Sequence, residues 1–181
     1  ILPPAENLGL RVLSEVPFLL KPPPKQEAGE SVALQVLSVE TVDGSAVDLA
    51  EAGPRFVEAV DRLWSGPLES DGLNRLVLGS GLAWRDVTVV RAYAKYLRQA
   101  GIPFSQNYME RALATYPAVV RHIVDLFKAR FDPALGAHES DERKQRVASI
   151  ETKIATALEA VTTLDEDRIL RRFHNALNCT L

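Results

Sequence analysis

One cysteine, Cys179, is all that 181 residues contain. No internal disulfide can form, which excludes the cross-linked scaffolds typical of small secreted proteins. No apolar run approaches the roughly 18 residues of a membrane-spanning helix, and the first residues lack the basic-then-apolar pattern of a signal peptide. A soluble, cytoplasmic protein is the expectation. A broad positive field is missing too: the formal net charge is −3. Nucleic acid and anionic membrane surfaces are therefore poor matches as partners, leaving small neutral ligands and other proteins.

Recognisable chemistry is equally sparse. His122, His138 and His174 are scattered, and none has the i, i+4 partner of a metal-binding helix. Gly79-Ser80-Gly81 lacks the lysine of a P-loop and the spacing of a dinucleotide fingerprint, so it reads as a turn between helices. Cys179 has no basic neighbour to activate it as a nucleophile. Asp165, Glu166 and Asp167 lie together, but in the first turn of a helix, where the macrodipole favours negative charge. Arg171 stands one turn beyond Asp167 as an ordinary surface pair.

What the sequence does have is 46% hydrophobic and 25% charged residues, the balance of one globular domain or two small ones. Ile1 to Leu8 reads as the tail of a helix closed by Gly9, and the last apolar series is still helical at the end, so both ends read as cuts through a larger chain. Leu10, Val12, Val16 and Phe18 form a strand that Pro17 confines to a sheet edge. The stretch from Pro22 to Glu30 is an extended connector, and Val32 to Val39 is a second strand ending at Asp43-Gly44, which together make a hairpin. Two strands need cover. A helix beginning at Pro54 and presenting Phe56, Val57, Val60, Leu63 and Trp64 is expected to supply it, ending at Gly66-Pro67.

Beyond residue 66 the pattern is helical. Ser70 is read as a cap for a short segment around Leu73, Leu76 and Val77. A helix from Ala83 to Gln99 follows, then one capped by Ser105, then one opened by Pro117. After a polar loop from Gly136 to Ser140, the spacing of Val147, Ile150, Ile154, Ala157, Val161 and Leu164 predicts one long seam. A final helix starts at Asp165. The fold class is thus α+β and predominantly helical: a partial α/β module over residues 1–66 and a helical region over 67–181. Trp84, Arg85, Arg91, Tyr93, Tyr96 and Arg98 on one helix, with Arg171 and Arg172 on the last, make an amphipathic mix that interfaces often use, with core packing of the aromatics the favoured alternative.

Three strings carry a family resemblance: Ser70-Asp71-Gly72-Leu73-Asn74-Arg75-Leu76-Val77-Leu78, then Gly81-Leu82-Ala83-Trp84-Arg85-Asp86-Val87, then Arg91-Ala92-Tyr93-Ala94-Lys95-Tyr96-Leu97-Arg98-Gln99. With Glu6 to Val12, Leu126 to Pro133 and Leu164 to Phe173 in the same order, the chain resembles the large bacterial type of NAD-specific glutamate dehydrogenase, in the accessory region ahead of the catalytic domain. The resemblance implies an ACT-like module followed by a helical motif. It implies NAD as cofactor of the parent enzyme but none in this segment, and no catalytic or metal-binding residue among these 181. Its partners would be other domains of the same chain, sister subunits and an amino-acid effector. The competing expectation is a stand-alone helical module that binds a peptide or helix in a groove.

Overall fold

The computed structural model describes residues 2–20, 32–135 and 140–180. Ile1, the Pro22 to Glu30 connector, His138 and most of the loop before Ser140 lie outside these described residues. Helix α1 (Leu2–Asn7) ends at Gly9, whose φ of 85° is left-handed. A second constraint holds the same glycine: a Cβ there would sit 3.2 Å from the Cβ of Arg75. Leu8 and Leu10, on either side, enter the core.

Strands β1 (Leu10–Leu20) and β2 (Val32–Thr41) pair antiparallel as a two-stranded sheet, with an irregularity between Val12 and Ser14. Facing residues share a side of a sheet. The pairs Val16 with Val36, Phe18 with Leu34 and Leu20 with Val32 therefore build one continuous apolar ladder. The opposite side mixes Glu15 and Gln35 with Pro17, Leu19, Ala33 and Leu37.

The expected cover for that ladder is not there. Helix α2 (Leu49–Ser65) packs on α3 (Leu76–Gly79) and α4 (Trp84–Gln99) instead. It buries Ala52 and Ala59 and half-buries Phe56 and Leu63, while Val57 and Trp64 face solvent. Its start also differs from the expectation. Asp48 accepts hydrogen bonds from the amides of Ala50 (2.9 Å) and Glu51 (3.4 Å), so a good N-cap sets the first turn before Pro54 is reached. Pro54 then lies inside the helix, where its missing N–H leaves the carbonyl of Ala50 without the usual donor. Gly66 closes the helix in the left-handed conformation at φ 99°.

A 3-10 turn (Gly72–Arg75) leads into α3, with Asp71 rather than Ser70 as its cap: Leu73 N donates to Asp71 Oδ1 at 3.0 Å. Then come α4, α5 (Gln106–Thr115) and α6 (Pro117–Phe131), punctuated as the sequence predicts by Ser105 and Pro117. Helix α7 (Asp141–Leu158) packs on α6 through Ile150, Ile154 and Leu158. The expected seam breaks at that point. Val161 falls after the helix, and Leu164, 64% exposed, becomes the first residue of α8 (Leu164–Asn178), because Thr163 caps a new helix by accepting from Glu166 N.

Helix α8 is the packing centre. Ile169, Leu170, Phe173 and Leu177 recur at helical spacing, are essentially inaccessible, and meet α4, α5 and α6 together. Met109 and Leu113 of α5 and Val120 and Val124 of α6 complete the same core. Among the described residues no helix is long and apolar enough to cross a membrane. Truncation at the centre should be costly. Phe173→Ala is expected to lower unfolding free energy by about 3–5 kcal/mol, whereas Phe18→Ala, 49% exposed on the hairpin, should cost less than about 1 kcal/mol; urea titration of the two variants checks the order.

Candidate functional site

Arginine is ordinarily a surface residue, and Arg91 breaks that rule. It is 4% exposed. Its Nε donates to Asp71 Oδ2 at 2.6 Å and one terminal nitrogen donates to Asp71 Oδ1 at 2.8 Å, a two-pronged pairing of fork and carboxylate. The same nitrogen reaches Asn74 Oδ1 at 2.7 Å and the carbonyl of Glu69 at 3.3 Å. Asn74, fully buried, returns its amide to that carbonyl at 2.9 Å. Glu110 holds the turn from the other side by accepting Gly72 N at 3.2 Å, and a Cβ at Gly72 would come within 2.5 Å of that carboxylate. The network clamps residues 69–75 between α4 and α5; it is spent on architecture.

The remaining interface candidates are spread out. Trp84 donates to Glu58 at 2.9 Å and lies under the guanidinium groups of Arg62 (5.5 Å) and Arg85 (4.9 Å), so it ties α4 to α2. Tyr93 bonds Thr180 at 2.8 Å and meets Phe127 edge-on. Tyr96 is 57% exposed, and Arg98 donates to Gln106 at 2.8 Å. Arg171 pairs with Asp167 at 2.8 Å, a hydrogen bond that holds its guanidinium still more firmly protonated, and Arg172 is exposed. Arg91 therefore leaves the expected surface set, since its charge is satisfied internally.

The histidines do not converge. His174 bonds Glu151 at 2.5 Å between α8 and α7, and His122 lies 3.9 Å from Asp125 on its own helix. Among the described residues no three His, Cys, Asp or Glu side chains stand where they could share a metal ion.

A different site appears where the hairpin base meets the helices. A cleft of about 800 Å³ runs between the turn after β2, the start of α2, the Gly79 to Gly81 turn and the junction of α5 with α6. Arg55, Arg75, Arg111 and Arg121 all line it, each from a separate element. Asp43, Asp48 and Glu51 line it as well. Asp43 is committed to its own turn: bonds from the Ser45 hydroxyl and then the Ser45 amide hold its carboxyl below the usual carboxylate range. Sequence reading missed these arginines because no local spacing links them. The net charge of −3 concealed a local cluster of the opposite sign.

Fold and geometry define a predominantly helical α+β unit with internal clamps, a bare apolar hairpin and a cleft lined by four arginines. Residues 68–133, the clamp and most of the cleft's helical wall, match the family described as glutamate dehydrogenase, helical motif 3. Over its whole length the chain is homologous to a segment of bacterial NAD-specific glutamate dehydrogenases. It is 36% identical over 181 residues to the protein of that name from Halomonas elongata. It is 38% identical over 186 residues to that from Mycobacterium tuberculosis and 38% over 183 residues to that from Pseudomonas aeruginosa. The whole chain is covered in each case, yet it spans only 11% of each relative's length.

Breaking the clamp should be felt through the whole helical body. Arg91→Ala removes the guanidinium partner of the partly buried Asp71 carboxylate and of the buried Asn74 amide oxygen, with an expected loss of about 3–5 kcal/mol in unfolding free energy, against less than about 0.5 kcal/mol for the exposed Arg171→Ala. Equal losses in denaturant titration would show that the clamp carries no special weight.

Proposed function

We propose that this chain is a structural and regulatory segment, without a catalytic site of its own, of a cytoplasmic NAD-dependent glutamate dehydrogenase. In this reading the parent enzyme converts L-glutamate, NAD and water to 2-oxoglutarate, ammonia and NADH. The groups that bind glutamate and NAD belong to other parts of it. Residues 1–66 serve as a partial ACT-like module and 67–181 as the helical motif region. Neighbouring domains, sister subunits and an amino-acid effector are its partners, met through the hairpin and through exposed residues such as Tyr96, Arg98 and Arg172.

The observation that carries the reading is the bare ladder. Val16, Phe18, Leu20, Val32, Leu34 and Val36 are each 47–60% exposed. Two strands with one apolar side are marginal in water unless something covers that side. The chain corresponds to 11% of its relatives, so most of such an enzyme lies outside it and can supply the cover. The helical body is a firm platform for that role, because its own apolar stripes are already buried against one another.

Charging the ladder separates docking from folding. Phe18→Asp combined with Leu34→Asp should leave the unfolding midpoint of the 181-residue chain within about 2 °C, since neither side chain enters the core. In the full-length dehydrogenase the same pair should disrupt native assembly, seen by size-exclusion chromatography, and lower glutamate-dependent NAD reduction in step. Unchanged assembly and full activity would remove the docking role.

A further inference from the structure

We infer that the cleft at the base of the hairpin binds a small organic dianion, presenting carboxylate or phosphate oxygens to Arg75, Arg111 and Arg121. Guanidinium groups stay protonated at any physiological pH, so the positive charge here cannot be relieved by losing protons. Four of them line one cleft in a chain whose net charge is −3. Internal carboxylates account for only part of that charge. Glu51 pairs with Arg55 at 3.1 Å. Asp48 is turned to the amides at the start of α2, and Asp43 to Ser45.

Among the described residues Arg75, Arg111 and Arg121 have no carboxylate partner. Arg111 lies over the Tyr108 ring, and Arg121 donates its Nε to the carbonyl of Ser80 at 2.8 Å, leaving its outer nitrogens directed elsewhere. The Nε of Arg75 is shut off from solvent and makes no hydrogen bond. Gly81 brings two of the guanidiniums together: a Cβ there would touch the terminal nitrogen of Arg121 and lie 3.5 Å from that of Arg55. Glu51 offsets the Arg55 charge of this pair, which leaves the repulsion on Arg121 and the two other arginines for an anion to relieve. Planar forks match the paired oxygens of carboxylate and phosphate.

Two further features fit a small organic anion. The start of α6 at Pro117 opens on the cleft without a side-chain cap, adding the positive end of that helix, whereas the start of α2 is already capped by Asp48. Val42, Val47, Leu78 and Ala114 give an apolar lining for a carbon skeleton, and about 800 Å³ is the scale of a small-molecule site. This inference stands apart from the docking role, since it concerns a ligand of the chain itself.

Calorimetric titration of the 181-residue chain with succinate and, separately, with inorganic phosphate at about 0.15 M ionic strength tests it. Saturable binding of one ligand to one site is expected, weakened roughly tenfold or more in Arg111→Gln and in Arg121→Gln and unchanged in Arg172→Gln. Circular dichroism confirms that each variant is folded. Succinate binding that follows this pattern identifies a dicarboxylate site. Phosphate binding that follows it, with succinate silent, identifies a phosphorylated ligand. No saturable heat from either probe, or affinities indifferent to Arg111 and Arg121, would overturn the inference. None of these outcomes depends on assembly of the full-length enzyme, which reports on the hairpin alone.

Discussion

The fork of Arg91 closed on Asp71 is the constraint from which much of the arrangement follows. A buried guanidinium is tolerable only when its donors are matched, and here they meet one carboxylate, one amide oxygen and one backbone carbonyl. Those acceptors all lie in residues 69–74, a stretch held otherwise only by its short 3-10 turn. The pairing therefore determines where this stretch sits on α4. Glu110 then finds Gly72 within reach, which sets α5 against the same turn. Arg75 follows directly and is packed beneath Gly9, so the clamp also fixes one wall of the arginine cleft and the point where the hairpin leaves the body.

The hairpin is built on a different principle. Its two strands satisfy part of their backbone hydrogen bonding on each other, but its apolar ladder contributes almost nothing to the core. The helical body buries its stripes with α8 at the centre and does not need the strands beyond their base. Leu8 and Leu10 are where the two parts are joined by burial, and from Leu13 onward every position of β1 is exposed. Stability is thus concentrated at one end of the molecule and bare apolar surface at the other. That partition suits a segment whose strands are completed by something outside it.

Much of the helical order was legible because its signals are local. Ser105, Pro117 and Gly66 act on their own turns, and the periodic apolar residues of α4, α5 and α6 point to the core without knowledge of what they meet. Errors arose where two local signals competed. Gly53-Pro54 imitates a helix start, but Asp48 caps earlier and the proline is absorbed. The three- and four-residue spacing of α7 runs on to Leu164, yet Thr163 starts a new helix and the periodicity continues only on paper. Covering of the strands was misjudged for another reason: α2 has an apolar face that suits either a sheet or helices, and Ala52 and Ala59 allow the close approach to α3 and α4 that decides it. Arg91 read as surface because its partner lies 20 residues away in a turn with no periodic pattern.

The arginine cleft lies furthest beyond what sequence pattern can supply, and the reason is geometric. Helix periodicity relates residues three or four apart, whereas Arg55, Arg75, Arg111 and Arg121 are brought together by the path of four separate elements. Glycine is the one trace left in the sequence. Gly9 lets the strand base descend onto Arg75, and Gly81, at φ 61°, leaves the space that Arg121 occupies. A side chain at Gly81 would displace the Arg121 guanidinium, whereas one at Gly9 would press on the Cβ of Arg75. Both glycines serve turns, and Gly81 in the same stroke makes room for a guanidinium in a cleft where four arginines face three carboxylates.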